Sequence, residues 1–250
     1  GQPESRVAHR VAYTSPGESM GNLYPQLAND TLQGLSALDV DAVCADSDIV
    51  FTALPHGQSQ QVVAQLREKS TKVIDMSGDF RYDDPFIYAA WYNRHEYPDL
   101  LKEAVYGMPE LYREYLKSAD PIGNPGCYTT ASILALAPLV EAGVLDLDTI
   151  IVDAKSGATG AGRKPNQDLH FCELEGNAKA YSVGTHRHTS EIEQELSKLA
   201  DKDVTINFTP HLLPVKRGIL ATSYARLADG QNGNTVQEIF AEAYHAEPFI

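Results

Sequence analysis

Apolar and polar residues in the first half of the chain follow the pattern of a βαβ unit. Residues 48–54 (DIVFTAL) form a short, almost continuously apolar run, and residues 72–75 (KVID) form a second predicted strand. Residues 58–68 between them place apolar side chains at helical spacing. A strand, a helix and a strand in this order require parallel pairing and a right-handed crossover. The pattern therefore predicts an α/β fold with a Rossmann-type parallel sheet.

Three further segments extend this prediction. Residues 54–59 and 76–81 follow the two strands at their carboxyl ends, where parallel sheets commonly bind ligands. Residues 7–15 (VAHRVAYTS) predict another strand. Residues 83–109 are rich in aromatic side chains but show little periodicity, so we expect an irregular segment packed on the sheet.

The second half of the chain predicts a different arrangement. An apolar helical run over residues 128–142 begins next to Cys127, directly after a Pro-Gly pair. Strands are predicted at residues 150–154, 204–209 and 219–225, and a helix at 190–199. Thr189 and Ser190 precede Glu193, which predicts a capping box at the start of that helix. We therefore predict an α+β domain over residues 127–250 with an antiparallel or mixed sheet, after a Rossmann-type domain over residues 1–126.

The composition matches that of an ordinary globular protein. Hydrophobic residues make up 43% of the 250 residues and charged residues 22%. The formal net charge of −14 repels nucleic-acid phosphates and anionic lipid headgroups, so we expect neither as a partner, and an anionic substrate would need a local basic site. No apolar run approaches the roughly 20 residues of a membrane-spanning helix. We expect a soluble, cytoplasmic protein.

Cys127 is the most specific candidate for chemistry. The three cysteines, which include Cys44 and Cys172, show no CxxC spacing, and this argues against a zinc site and a disulfide framework. A thiol in the first turn of a helix lies among unpaired backbone N–H groups, which lower its pKa and can receive an oxyanion. We therefore expect Cys127 to be a nucleophile and the thiol that is alkylated fastest near neutral pH. A small core residue is the alternative that position alone leaves open.

Two histidines are candidates for acid/base catalysis. His186 and His188 are two residues apart, and in an extended segment their side chains would point to the same side. A histidine near its ordinary pKa suits proton transfer to and from a thiol. We favour His186 slightly, because it follows the small residues Gly184 and Thr185. Surface histidines remain an alternative, and no third ligand stands at a spacing that would predict a metal site.

A glycine-rich segment, residues 155–164 (KSGATGAGRK), follows the predicted strand at residues 150–154. Its glycines allow the backbone to approach a ligand closely, and Lys155 and Arg163 suit an anion. The segment lacks the spacing of an ATP-binding P-loop. Arg217 belongs to a second candidate cationic site.

Seven segments spread over residues 51–222 share their motifs and their order with one known family. They are FTALPHGQS (51–59), DMSGDFR (75–81), YGMPEL (106–111), NPGCYTT (124–130), KSGATGAGR (155–163), GTHRHTSEIEQE (184–195) and PHLLPVKRGILAT (210–222). In these segments the chain resembles the N-acetyl-gamma-glutamyl-phosphate reductases of arginine biosynthesis, which are related to aspartate-semialdehyde dehydrogenases. The cysteine and HRH segments are the most specific. The family pattern has proline after Cys-Tyr, where this chain has Thr129.

The resemblance implies an NADPH-dependent reduction of an acyl phosphate to an aldehyde with release of phosphate. It places the catalytic cysteine at Cys127 and the acid/base at His186 or His188. A thiolate would attack the acyl phosphate, and hydride would reduce the resulting thioester. Candidates for binding the substrate are Asn124, Lys155, Arg163, Arg187 and Arg217. Candidates for binding NADP are Ser15, Pro55, His56, Gly57, Ser77, Gly78, Ser156, Gly157 and Gly160.

The end of the predicted strand at residues 7–15 bears on the choice of cofactor. Thr14 and Ser15 offer hydroxyls there and no acid, which favours NADP over NAD. The resemblance also implies a preceding strand and glycine-rich turn, which residues 1–9 do not contain. We therefore expect this chain to be an internal portion of a longer enzyme that binds either cofactor weakly.

Three alternative functions remain open from the sequence. The first is the same reaction on N-acetyl-aminoadipyl phosphate of lysine biosynthesis, because one methylene group changes binding by only about 1–3 kcal/mol. The second is a cofactor-independent hydrolase or acyltransferase that uses Cys127 and a histidine. The third is a catalytically silent assembly module. In each reductase reading, the resemblance implies a homodimer or a homotetramer whose interface lies in the second domain.

Overall fold

The computed structural model describes residues 5–28, 34–162 and 164–250. Its helices are α1 Met20–Leu23, α2 Val40–Ala45, α3 Ser59–Glu68, α4 Pro85–Trp91, α5 Pro98–Glu103, α6 Pro109–Leu116, α7 Cys127–Glu141, α8 Phe171–Leu174, α9 His188–Ala200 and α10 Gly233–Tyr244. Its strands are β1 Ile49–Thr52, β2 Lys72–Asp75, β3 Val105–Tyr106, β4 Ile122–Gly123, β5 Leu145–Gly157, β6 Lys179–Ala180, β7 Asn207–Leu213 and β8 Ile219–Leu227. Short 3₁₀ turns cover Pro25–Leu27, Ala158–Ala161 and Gln167–Leu169.

The first sheet confirms the predicted βαβ unit. Its strands lie in the order β1-β2-β4-β3, and every pair is parallel. Helix α3 connects β1 to β2 and buries Val63 and Leu66 completely, and β2 does the same with Val73. The spacing of apolar residues therefore predicted both the type and the order of these elements correctly.

The predicted strand at residues 7–15 is wrong. Over this segment the described residues form a single isolated bridge, between Val11 and Ser36. Val7 is 52% exposed and Tyr13 is 63% exposed, so the alternating pattern is not matched by a buried face. A strand pattern becomes a strand only where a partner supplies ladder hydrogen bonds along its length. The strand-end argument for Ser15 as a cofactor ligand therefore loses its structural basis.

The aromatic segment at residues 83–109 is more regular than predicted. It folds into α4, α5 and β3. Pro85 and Pro98 stand at the start of the two helices, where a missing N–H costs nothing. Tyr88 and Tyr106 are buried, whereas Phe86 is 83% exposed. The prolines mark helix starts here rather than loops.

The second sheet is mixed, as predicted. Its strands lie in the order β6-β7-β5-β8, with β5 parallel to β7 and antiparallel to β8. Helix α7 packs against β5 and β8 on one face, and α9 packs against α7. The opposite face of the sheet exposes Ile151, Leu220 and Tyr224. Among the described residues, no helix is long and apolar enough to cross a membrane.

Helix α9 starts two residues before its predicted beginning and without the predicted capping box. Its N-cap position is Arg187, which makes no side-chain capping bond. Glu193 instead accepts a hydrogen bond from the N–H of Ile206, at 3.0 Å. The Glu193 side chain therefore bonds to a backbone N–H outside the helix instead of capping the start of α9.

The first domain holds α9 in place through residues that follow β2. Asp83 pairs with Lys198 at 2.6 Å, and the amide of Gln194 donates to the carbonyl of Arg81 at 3.0 Å. The hydroxyl of Tyr82 lies 3.0 Å from that of Ser190. These contacts run along the length of α9 and fix it relative to the carboxyl end of the first sheet.

Candidate active site

A cavity of about 850 Å³ lies between the carboxyl edge of the first sheet and the start of α7. Both domains line it, and so does the segment that leads into α9. The predicted site residues that it brings together are Cys127, His186, His188, Asn124, Arg187, His56, Ser156 and Gly160. The nucleophile and both candidate acid/base groups therefore share one space.

Cys127 is the first residue of α7, with Gly126 at the N-cap position. The backbone N–H groups of Tyr128 and of Cys127 itself act to lower the thiol pKa. The side chain is open to solvent in the cavity, but the protein atoms around it desolvate the thiolate, which outweighs these N–H groups and raises the pKa of Cys127 above its ordinary value. This direction is opposite to the expected lowering of the pKa, and a raised pKa means that the thiol must pass its proton to a base as the sulfur attacks.

His188 lies against the backbone just before the cysteine. A side chain at position 126 would overlap its Nε2 atom, so glycine is required for the ring to sit there. Its Nδ1 atom is buried and has no hydrogen-bond partner among the described residues. Burial lowers the pKa of His188 to about 4, although the charge of Glu191 opposes this shift. The ring is therefore neutral at physiological pH and able to accept a proton.

His186 lies beside His188, with the two ring centroids 4.8 Å apart. Its Nδ1 accepts the backbone N–H of His188 at 3.1 Å, which assigns the proton of the neutral ring to Nε2. The rings of Tyr128, Tyr181 and Phe208 meet it edge to face. Burial lowers the pKa of His186 to about 4. Because its Nδ1 lone pair already accepts this N–H, the neutral ring of His186 presents a donor at Nε2 rather than an acceptor, a geometry that does not favour it as the base.

Sequence reasoning missed Glu191, which lies one helical turn after His188. Its carboxylate is completely buried and accepts hydrogen bonds from the hydroxyl of Tyr106 at 2.7 Å and the N–H of Gly126 at 3.0 Å. Burial acts to raise the pKa of Glu191, but Arg81 and His188 outweigh it and hold the pKa below its ordinary value. The i, i+3 spacing from His188 is the signal that could have found this residue.

Arg81 is the second functional side chain that sequence reasoning missed. It is 6% exposed, and its guanidinium forms an ion pair with Glu191 at 3.3 Å. It also donates to the backbone carbonyls of Asn124 at 2.6 Å and Met76 at 2.8 Å. Arg81 therefore ties the loop after β2 to the loop that carries the cysteine. Its position at the end of the segment DMSGDFR was the available signal.

Thr129, where the family pattern has proline, contacts the same carboxylate. Its hydroxyl lies 2.6 Å from the carbonyl of Gly126 and 2.9 Å from Oε1 of Glu191. The departure from the pattern leaves the cysteine in place. It adds a hydroxyl next to the buried glutamate.

The predicted cations separate into those inside the cavity and those outside it. Arg187 lines the cavity, whereas Lys155 lies on the opposite face of β5 and pairs with Asp153 at 2.5 Å. Alternation along the strand is the reason, because it turns Ser156 toward the cavity and Lys155 away. Arg217 belongs to a loop packed on Gly157 and does not line the cavity. Arg163 lies outside the described residues.

The predicted cofactor-binding residues also differ in whether they line a cavity. Pro55, His56 and Gly57 line a second cavity of about 390 Å³, which shares His56, Tyr92 and Arg187 with the first. Gly78 donates its N–H to His56, and Ser77 is buried and donates to Asp75 at 2.5 Å. Gly157 packs on the loop that contains Arg217, and Ser15 lines neither cavity.

Comparison with known proteins identifies the family. The family model described as "Semialdehyde dehydrogenase, NAD binding domain" matches residues 2–119, and the one described as "Semialdehyde dehydrogenase, dimerisation domain" matches residues 127–250. A protein from Acetivibrio thermocellus named N-acetyl-gamma-glutamyl-phosphate reductase is 48% identical over 99% of this chain and 72% of its own length. A protein of the same name from Halothermothrix orenii is 44% identical over the same shares. The chain belongs to the N-acetyl-gamma-glutamyl-phosphate reductase family.

Solved structures agree with the fold of this reductase. Aspartate semialdehyde dehydrogenase II from Vibrio cholerae superposes with a TM-score of 0.60 at 16% identity, covering 83% of this chain and 64% of that one. Aspartate semialdehyde dehydrogenase with NADP from Candida albicans superposes with a TM-score of 0.63 at 13% identity, covering 95% and 69%. At these identities the likeness shows the fold, which confirms a Rossmann-type sheet followed by an α+β domain.

Removing the charge of Arg81 is expected to destabilise the reductase. Arg81→Met leaves the buried carboxylate of Glu191 without its cation, and breaking a buried pair in this way costs about 3–5 kcal/mol. Because the folded pKa of Glu191 is lowered, its contribution is complete above pH 4.5 and is lost as the pH falls through the folded pKa. Urea denaturation of the variant at neutral pH measures the first effect.

The double variant Arg81→Met/Glu191→Gln serves as the control. It removes both charges, so it should recover part of the lost free energy of unfolding. Equal stability of Arg81→Met and the parent protein would contradict the buried pair. A smaller loss of stability on acidification in Glu191→Gln than in the parent protein would support the pKa argument.

Proposed function

We propose that this protein catalyses the NADPH-dependent reduction of N-acetyl-gamma-glutamyl phosphate to N-acetylglutamate semialdehyde with release of phosphate. The observation that carries the proposal is the position of Cys127 at the start of α7, with His188 packed against Gly126 in the same cavity. Relatives up to 48% identical over almost the whole chain bear the name of this reductase.

The geometry of the two cavities fits a dinucleotide. Parallel α/β sheets bind such cofactors outside the carboxyl ends of their strands, and the loops after β1 and β2 lie there. Pro55 and Gly57 in the smaller cavity, with Ser156 and Gly160 in the larger one, are the residues that would hold NADP. NADPH, when bound, supplies the hydride that reduces the thioester carbon.

In the first half-reaction, Cys127 forms a bond to the acyl carbon while the bond to phosphate breaks. The thiol proton moves to Nε2 of His188, which is neutral and therefore ready to accept it. Glu191 stabilises the resulting imidazolium, since its carboxylate is ionised and opposes the lowering of the His188 pKa. The N–H groups at the start of α7 face the charge that develops at the acyl oxygen.

In the second half-reaction, the carbon–sulfur bond of the reduced intermediate breaks and the aldehyde leaves. His188 returns its proton to the sulfur, so that Cys127 and His188 are both restored. His186 donates from Nε2 within the same cavity, and it assists by hydrogen bonding rather than by proton removal. Over the cycle one acyl phosphate, one hydride and one proton from solvent are consumed, and one aldehyde and one hydrogen phosphate dianion are formed.

One assay tests this proposal against its rivals. The reverse reaction, oxidation of N-acetylglutamate semialdehyde, should require both phosphate and NADP and should produce NADPH absorbance. The aldehyde with one more methylene group is the comparison that tests the lysine-pathway alternative. Turnover of the acyl phosphate without NADPH would instead indicate a hydrolase or acyltransferase, and no turnover at all would indicate an assembly module. NAD in place of NADP should support a lower rate.

The outer face of the second sheet is the surface through which two copies of the protein are proposed to associate. Ile151 and Tyr224 are paired in register and are 44% and 54% exposed there, Leu220 on the same face is 63% exposed, and large exposed apolar side chains grouped on one face mark a candidate interaction surface. The family model that covers this sheet is described as a dimerisation domain. We propose a homodimer, or a homotetramer built from such dimers.

Charging this face is expected to dissociate the assembly. Leu220→Asp combined with Tyr224→Asp would place two carboxylates on each side of a symmetric contact, where they cannot be solvated or paired. Light scattering should then report the monomer mass, against a dimer or a tetramer for the parent protein. Phe86→Asp is the matched control, because Phe86 is exposed on the first domain. An unchanged mass in the double variant would show that the interface lies elsewhere.

A further inference from the structure

The two cavities meet at a junction formed by His56, Tyr92 and Arg187. These three side chains line both spaces, and the junction joins the first domain to the segment that leads into α9. The guanidinium of Arg187 stacks over the ring of Tyr92 at 4.9 Å. The ring of His56 meets the same tyrosine edge to face, with centroids 5.0 Å apart. Tyr92 therefore contacts both the cation and the imidazole of this junction.

Among the described cationic side chains that line the larger cavity, Arg187 is the one whose charge is not neutralised by a partner. The guanidinium of Arg81 is committed to Glu191 and two backbone carbonyls. Lys179 pairs with Asp168 at 2.5 Å. In the ranges that the structure covers, the Arg187 guanidinium forms neither a hydrogen bond nor an ion pair. In a protein with a net charge of −14, this is the cation that remains for an anionic ligand.

His56 offers one hydrogen-bond donor to the same space. Its Nδ1 accepts the backbone N–H of Gly78 at 2.8 Å, which assigns the proton of the neutral ring to Nε2. Burial and the charges of Arg187 and Arg81 lower the pKa of His56 to about 4, so the ring stays neutral at physiological pH. Within the described part of the chain, Nε2 has no partner. It is a donor held in a fixed direction without a charge of its own.

The buried carboxylate of Asp79 fixes the loop that carries His56. Both oxygens of Asp79 accept the N–H of Gly57 at 2.8 Å, and the hydroxyl of Tyr88 donates to one of them at 2.8 Å. Gly57 has a φ of +83°, a conformation that favours glycine. The N–H of Gly57 is therefore unavailable to a ligand. The loop presents the imidazole of His56 instead.

We propose that Arg187 and Nε2–H of His56 form the subsite for the phosphate group that leaves the acyl phosphate and re-enters in the reverse reaction. A guanidinium fork and a neutral N–H donor match the oxygens of a phosphate dianion. Cys127 lines the same cavity, so a phosphate bound there stays within the space in which the acyl–phosphate bond breaks. This inference rests on the proposed function for its reaction. It gives a role in phosphate binding to His56, which the resemblance assigned to the cofactor, and to Arg187, which was a candidate for binding the substrate without a named group.

The Michaelis constants of the reverse reaction test the subsite directly. Arg187→Gln should raise KM for phosphate by about 10- to 100-fold, because hydrogen bonds to charged groups are lost, and should leave KM for NADP nearly unchanged. Arg187→Lys keeps the charge but lacks the two-pronged guanidinium, so its KM for phosphate should lie between those of the parent protein and Arg187→Gln. Arg94→Gln, which removes the same charge from an exposed residue that lines neither cavity, is the matched control.

Two substitutions separate the roles of the His56 nitrogens. His56→Asn retains an acceptor near Nδ1 for the N–H of Gly78 but removes the donor at Nε2, and it should raise KM for phosphate about tenfold. His56→Gln can place an amide N–H near the position of Nε2, and it should recover part of the affinity. If instead either His56 or Arg187 variants raise KM for NADP and spare phosphate, the junction binds a cofactor phosphate and the proposal is overturned.

A measurement without turnover distinguishes this proposal from the proposed function. Inorganic phosphate should slow the alkylation of Cys127 by iodoacetamide in the parent protein, and much higher phosphate concentrations should be needed in Arg187→Gln. Such protection in a protein that lacks reductase activity would leave the subsite standing and refute the function. An active enzyme whose phosphate constants and alkylation are unaffected by both substitutions would refute the subsite alone.

Discussion

Cys127→Ser is expected to lower kcat of the proposed reductase by a factor on the order of 10⁴ to 10⁶, the loss typical of removing a catalytic nucleophile. A serine hydroxyl is a far weaker nucleophile than a thiol at neutral pH, and the thioester cannot form. The serine side chain occupies nearly the same volume at the first position of α7. The thermal unfolding temperature should therefore change little, which separates loss of chemistry from loss of fold.

Cys172→Ser provides the matched control for this substitution. Cys172 is exposed on α8 and does not line the cavity, so its replacement should leave kcat unchanged. The alkylation rate of Cys127 in the free enzyme should keep rising above pH 9.0, because burial raises its pKa. Retention of most of the activity in Cys127→Ser would show that the nucleophile has been assigned wrongly.

His188→Gln is expected to lower kcat by about 10²- to 10⁴-fold, the range for loss of a general acid/base. His188 packs against Gly126, which directly precedes the cysteine, and its neutral ring can receive the thiol proton. His186→Gln should have a smaller effect that falls mainly on KM, since His186 is placed as a hydrogen-bond donor. Steady-state kinetics of the two variants at one pH gives the comparison.

The pH dependence of the parent enzyme provides an independent check on His188. The acidic limb of kcat/KM reports the free enzyme, so it should lie near pH 4 rather than near 6.5. Below that pH the imidazole is already protonated and cannot accept the thiol proton. A full loss of kcat in His186→Gln with little loss in His188→Gln would reverse the two roles proposed for these residues.

Several elements were predictable because their signals are local. The strand at Lys72–Asp75 was predicted with its observed bounds, and the helix after Pro125 and Gly126 begins at Cys127 within one residue of its prediction. Hydrophobic periodicity and turn residues act over a few neighbouring positions, so one sequence carries them. The motif segments likewise predicted the family, and the relatives confirm it.

Other features depend on which residues meet in space. Arg81 and Glu191 are 110 residues apart and pair only because α9 packs on the end of the first sheet. Lys155 does not line the cavity, because side chains alternate along β5 and Lys155 points to the opposite face. The sequence cannot predict which set of alternating residues faces the cavity without knowing which face is buried. The strand pattern at residues 7–15 found no ladder partner among the described residues beyond one bridge.

By itself, the sequence determined the fold class and the family and proposed the reactive groups, because residue type and local spacing are sufficient for these. The tertiary structure decided the state of those groups. Desolvation raised the pKa of Cys127, a backbone N–H occupied the Nδ1 lone pair of His186, and burial kept the ring of His188 neutral. Protonation, tautomer and charge depend on the solvent and the partners around each atom, and only the folded chain brings those together.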